Sequence, residues 1–145
     1  MKKHFLFHEG EWRGAGVLHF SSEIESIEFQ THWSVSSLQN KQMRAVQTVD
    51  IPGQPSMINV FTVTKKRSGD FDVVLENEHL GIFGGQGVSD PQQVAWEFAH
   101  YGALEGFEVY ERKENDSYSF RAEYLGSDGI HTNIHGTIAK ESITT

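Results

Sequence analysis

The chain has 145 residues, including three Trp, four Tyr and ten Phe, enough for one domain, 1–145, around one sizeable core. It carries 12 basic against 20 acidic residues, a net charge of −8, which repels phosphate backbones and anionic lipid and leaves no basic footprint for nucleic acid. It has no cysteine, so disulfides, thiolate metal sites and a cysteine nucleophile are excluded.

The N-terminal stretch Met1–Glu9 holds Phe5-Leu6-Phe7 as its only consecutive strong apolar run, too short for a signal peptide. Together with the missing cysteines this points to a cytoplasmic protein. Alternation of period two then begins and recurs to the C-terminus. Trp12, Gly14, Gly16, Leu18 and Phe20 share one face. After the polar link Ser21-Ser22, Ile27, Phe29, Thr31, Trp33 and Val35 share the next, opposed by Ser26, Glu28, Gln30, His32 and Ser34. Met43, Ala45, Gln47, Val49 and Ile51 form a third face, ended by Pro52-Gly53-Gln54-Pro55, a turn by proline's fixed φ and glycine's freedom.

Met57, Asn59, Phe61 and Val63 follow, and Lys65-Lys66-Arg67 with Ser68-Gly69-Asp70 reads as a solvated hairpin end. Phe71–Leu75 is a short strand, Asn77-Glu78 a turn, and Leu80, Ile82 and Gly84 open another strand running into Gly84-Gly85-Gln86-Gly87. Two patterns compete over 89–103. A helix would use Ser89 or Asp90 as cap, Pro91 in its first turn and Gly102 as stop. A strand would align Val94, Trp96, Phe98 and His100, and the β-prone rings between flanking strands favour it. Phe107 and Val109 then lie on one strand face with Tyr110 on the other. Tyr118, Phe120, Ala122 and Tyr124 form the next face. Gly126-Ser127-Asp128-Gly129 is the strongest hairpin signal, and Ile130, Thr132, Ile134, Gly136 and Ile138 close the chain.

About ten strands at the spacing of all-β domains, joined by local hairpins, predict an up-and-down antiparallel β-barrel; a two-sheet sandwich is the alternative. The opening Gly10-x-Trp12-x-Gly14-x-Gly16 resembles the Gly-x-Trp signature of the calycin superfamily, which includes lipocalin, fatty-acid-binding-protein and nitrobindin-like barrels. That resemblance implies a Trp closing one end of the barrel under a basic side chain from a late strand, Lys140 in preference to Arg121. It also raises haem as a cofactor, through a histidine near the C-terminus. The pattern departs from nitrobindin at Leu18, and neither His131 nor His135 matches that ligand unambiguously.

Several residues could carry chemistry. His131 and His135 share a strand face, but four residues span about 13 Å, so they read as two solvent-facing histidines rather than one chelate. Thr31, Gln47, Asn59, His100 and Thr132 are polar positions on apolar faces, which require internal partners, water or a ligand. Gly84-Gly85-Gln86-Gly87 lacks the Lys-Ser/Thr of a phosphate loop and reads as a close-packed bulged turn. No Gly-x-Ser-x-Gly elbow occurs. The leading expectation is a small hydrophobic or amphipathic ligand in the lumen, contacted by Phe29, Trp33, Trp96, Phe98 and Tyr124 and oriented by Gln47, Asn59 and His100. The alternatives are an isomerase or lyase on a hydrophobic substrate, with His100 or a lumen Tyr as acid or base, and an interaction barrel presenting Tyr101, Tyr110 and Leu125 outwards.

Overall fold

The computed structural model describes residues 3–98 and 104–141. A short 3-10 turn, Phe5–Phe7, precedes ten strands: β1 (Gly10–Phe20), β2 (Ile27–Ser37), β3 (Gln42–Asp50), β4 (Met57–Lys65), β5 (Asp70–Asn77), β6 (Gly81–Ser89), β7 (Gln93–Phe98), β8 (Leu104–Lys113), β9 (Ser117–Gly126) and β10 (His131–Lys140). Each strand pairs antiparallel with its sequence neighbours, and β1 pairs with both β2 and β10, closing the barrel. The strand reading of Gln93–Phe98 holds, since β7 pairs with β6 through Trp96↔Gly87 and with β8 through Trp96↔Glu108. Among the described residues no helix is long and apolar enough to cross a membrane.

Alternation fills the barrel from the inner face of every strand. Trp33, Ala45, Val63, Val94 and Tyr110 are wholly buried. The glycines of the opening motif serve this closure. A Cβ on Gly14 would stand 1.9 Å from the Thr137 carbonyl oxygen, and one on Gly16 would stand 2.7 Å from the Phe29 ring. Backbones and rings there approach as only glycine allows.

The two ends of the barrel differ. At the end where β1 begins, the Phe5–Phe7 turn enters the barrel as a plug, each residue at most 8% exposed. Phe5 packs against Trp12, Trp33, Tyr110 and Tyr118 with ring centroids 5.1–5.8 Å apart. The buried His4 anchors the plug. Its Nδ1 lies 2.8 Å from the Tyr118 hydroxyl and its Nε2 bonds the Asp90 carbonyl, while desolvation lowers its pKa. Seven inward apolar residues are only half-buried: Phe20, Ile27, Val49, Ile51, Phe83, Tyr124 and Ile134. All seven lie towards the opposite end, which forms the mouth.

Two sequence expectations are corrected, and the inner face of β6, which the sequence left open, is settled. Tyr110 points inward and is fully buried; it is not an outward residue. Its strand shows its outer face to sequence reading, because the inward neighbour Glu108 is charged while the outward Phe107 and Val109 are apolar. On β6 the exposed face is Leu80, Ile82 and Gly84, and the inward one is Phe83, Gly85 and Gly87. That inner face is poor in side chains because the rings of Phe71 and Phe98 already occupy the space at Gly87 and Gly85. The basic partner of Trp12 is also differently built. Arg121 lies on the outer wall over Phe107, 5.6 Å from its centroid. Lys140 is opposite Trp12 in register and lines the cleft beside it. The guanidinium at this end is that of Arg112, over Tyr118, which packs edge-on against Trp12.

Removing the plug's central ring leaves a cavity bounded by four other rings. Phe5→Ala is expected to cost about 3–5 kcal/mol of unfolding free energy, measured by urea denaturation.

Candidate functional site

The inward polar residues fall into two groups. The first is a ladder across β2 to β5. The Asn77 amide donates to Asn59 Oδ1 at 2.7 Å, the Asn59 amide to Gln47 Oε1 at 3.0 Å, and the Gln47 amide to the Thr31 hydroxyl at 3.2 Å. Asn77 Oδ1 accepts the backbone N–H of His79 and Leu80, which ties the ladder to the β5–β6 turn. Asn77 and Asn59, and Asn59 and Gln47, stand directly opposite in register, while Gln47 reaches Thr31 diagonally across the β2–β3 pair. The ladder explains why amides are tolerated on apolar faces: each donor meets an acceptor.

The second group stands on β7 to β9. Glu108, 8% exposed, accepts the Tyr110 hydroxyl at 3.0 Å on Oε1 and the Tyr124 hydroxyl on Oε2. The Trp96 indole N–H lies towards the same carboxyl and lowers its pKa, without meeting it in hydrogen-bond geometry. Desolvation is the largest influence and pushes the Glu108 pKa up, against the three donors. It also pushes the Tyr110 and Tyr124 hydroxyls well above their usual range, with the Glu108 charge adding to the effect. Among the described residues no cation enters the balance at Glu108.

The residues expected to line a site are largely brought together. Phe29, Trp33, Trp96 and Phe98 all point inward and are nearly or fully buried. Trp33 and Trp96 meet edge-to-face at 6.4 Å, and Trp96 stacks on Tyr110 at 5.2 Å. Tyr124 and Asn59 are half-buried, and Gln47 is buried within the ladder. Phe98 and Tyr124 flank Gly106 in register, at the lip of the mouth. His100 and Tyr101 lie outside the described residues. His131 and His135 face outward as expected; the first ion-pairs with Glu123 at 3.3 Å and the second is exposed. Neither reaches the lumen, so neither supplies the histidine that the calycin resemblance implied for haem. On the outer wall Glu11, His32 and Glu141 bring three potential ligand atoms within 4.8 Å, but Arg13 already holds Glu141 at 2.7 Å.

Sequence reading missed Glu108, Asn77 and the plug. For Glu108 a signal existed: Gly106, Glu108, Tyr110 and Arg112 alternate, and Tyr110 stands opposite the inward Phe120. Read from Phe120 rather than from hydrophobicity, that strand has its correct face.

No protein-family model matches the chain, and no curated protein matches it in sequence. Its fold is shared with solved structures. Rv2717c from M. tuberculosis superposes with a TM-score of 0.70 at 13% identity, covering 92% of each chain. The S-type phycobiliprotein lyase CPES from Guillardia theta superposes with a TM-score of 0.71 at 9% identity, covering 94% of this chain and 89% of that one. Both are ten-stranded barrels of calycin-like fold.

The Glu108 carboxyl gives a pH signature. With its folded pKa raised above the ordinary 4.5, the folded state holds this proton more tightly than the unfolded one. Stability is therefore lost as pH rises from about the unfolded value through the folded value. Glu108→Gln removes this loss. The stability of the variant relative to the native protein is expected to increase between pH 4 and pH 8, read as the difference in urea midpoints.

Proposed function

We propose that the chain binds a small, mostly apolar ligand in the mouth half of its barrel. One observation carries this reading: the inward apolar residues that remain half-exposed are all gathered at one end, while the plugged end buries the same kinds of side chain completely. An inner wall that faces water at one end only offers apolar surface for a small organic molecule to cover. Its walls would be Phe20, Ile27, Phe83 and Ile134, with Phe29, Phe98 and Tyr124 among them. Trp33 and Trp96 form the floor, and Gln47 and Asn59 offer oriented polar contacts at its side.

Apolar contact would supply the affinity, at roughly 25 cal/mol for each Å² of ligand and wall removed from water. That one structural neighbour is named a phycobiliprotein lyase supports a small organic ligand for a barrel of this shape. Neither comparison identifies that ligand.

Because Trp33 and Trp96 form the floor, their fluorescence reports on the lumen. Titration with Nile red, haem and dodecanol is expected to change it saturably for at least the neutral probes. Ile134→Glu, which places a charge in the apolar wall, should weaken Nile red binding by about tenfold or more without altering the far-UV dichroism. Absence of any saturable response to all three probes would remove the lumen site.

A further inference from the structure

Charge is distributed along this barrel in one direction. The described turns at the mouth, residues 21–26, 51–56, 78–80 and 127–130, contain Glu23, Glu25, Glu78 and Asp128 but neither Lys nor Arg. Asp50 and Glu76 add carboxylates at the adjoining strand ends. The cations lie elsewhere. Lys41, Lys66 and Arg67 are in turns at the plugged end, Lys65, Arg112, Lys113 and Lys140 are on strand ends there, and Arg13, Arg44 and Arg121 are on the outer wall.

The lumen has the same sign. Its inward polar groups in the mouth half are hydroxyls, amides and the Glu108 carboxyl, which is buried and held by two neutral tyrosines. A buried carboxylate without a cation is an unbalanced charge, and its neutral donors offset only part of the desolvation. A fatty acid, or any ligand led by a carboxylate, would pass an acidic rim and, among the described residues, find no counter-charge within. A ligand led by an ammonium group would be drawn by the rim and would supply the missing partner to Glu108.

Resting on the lumen reading above, we infer that the ligand class is an apolar body bearing a protonated amine, with Glu108 as the group that recognises it. Tyr124, half-buried between this carboxyl and the lip, shares Glu108 with the incoming N–H donor. The rim contributes long-range attraction that salt screens, whereas the pairing at Glu108 is short-range and shielded from solvent.

Three ligands of equal chain length separate charge from apolar contact: dodecylamine, dodecanol and dodecanoate. They are titrated below their aggregation limits at physiological salt, with tryptophan fluorescence as readout. The native protein is expected to bind the amine at least about tenfold more tightly than the alcohol, and the acid most weakly. Glu108→Gln should remove the amine's advantage over the alcohol, with far-UV dichroism and the urea midpoint as the check on its folding. Tyr124→Phe removes one competing donor and should raise the amine preference, which keeps the assignment testable should Glu108→Gln not fold. Acid binding equal to the amine's, a preference that survives Glu108→Gln, or a preference that falls in Tyr124→Phe would each overturn the assignment of Glu108. Alcohol binding with no amine advantage overturns this inference and leaves the lumen site standing. No binding of any of the three overturns both.

Discussion

The whole molecule depends on β1 pairing on both sides. Once β10 bonds to it, the sheet has no free edge, and its inner face becomes a volume of fixed girth. Every inward side chain must then fit that volume or leave part of it open. The glycines on β1 and β10 allow the seam to close tightly, since Gly16 and Gly136 stand opposite each other with a ring against each. The aromatic cluster from Phe5 to Tyr110 fills the lower part. What remains above it is a wall that is apolar and only half covered.

Electrostatics divides the molecule along the same axis. The plugged end gathers cations onto aromatic faces, Lys65 over Phe7 and Arg112 over Tyr118, where each ring offers its negative face. Among the described residues the turns at the mouth end have carboxylates and neither Lys nor Arg. Within the barrel the two polar groups differ in kind. The amide ladder is satisfied by its own members and needs nothing from outside. Glu108 is satisfied in hydrogen bonds but not in charge, so it alone among them has a preference about what enters.

Much of the architecture was legible in the residues because alternation and turn chemistry agree. Ile27 to Val35, the Pro52–Pro55 turn and the Asp128-Gly129 hairpin each specify one local structure, and closure follows from hairpins with no long crossover. The amides at 47 and 59 were visible as breaks in an apolar face. Hydrophobic counting failed where the inner face was not the more apolar one. On β6 glycine stands inside because neighbouring rings already fill the space; on β8 a carboxyl and a tyrosine stand inside because they satisfy each other. The plug was hidden for another reason. Phe5-Leu6-Phe7 is too short to show a period, and its burial depends on partners scattered along the chain, from Trp12 and Trp33 to Tyr110 and Tyr118.

That separation has a consequence for synthesis. His4 hydrogen-bonds Tyr118, 114 residues later, and β1 finds its second partner only in the last strand. On a ribosome the Phe5–Phe7 rings emerge well before Tyr110 and Tyr118, which cover them. Until β9 and β10 leave the exit tunnel, β1 is an open edge carrying a sticky leader, and the nascent chain is exposed to neighbours. The most vulnerable interval therefore falls just before β10 emerges, and β9 and β10 act as the latch of the whole assembly.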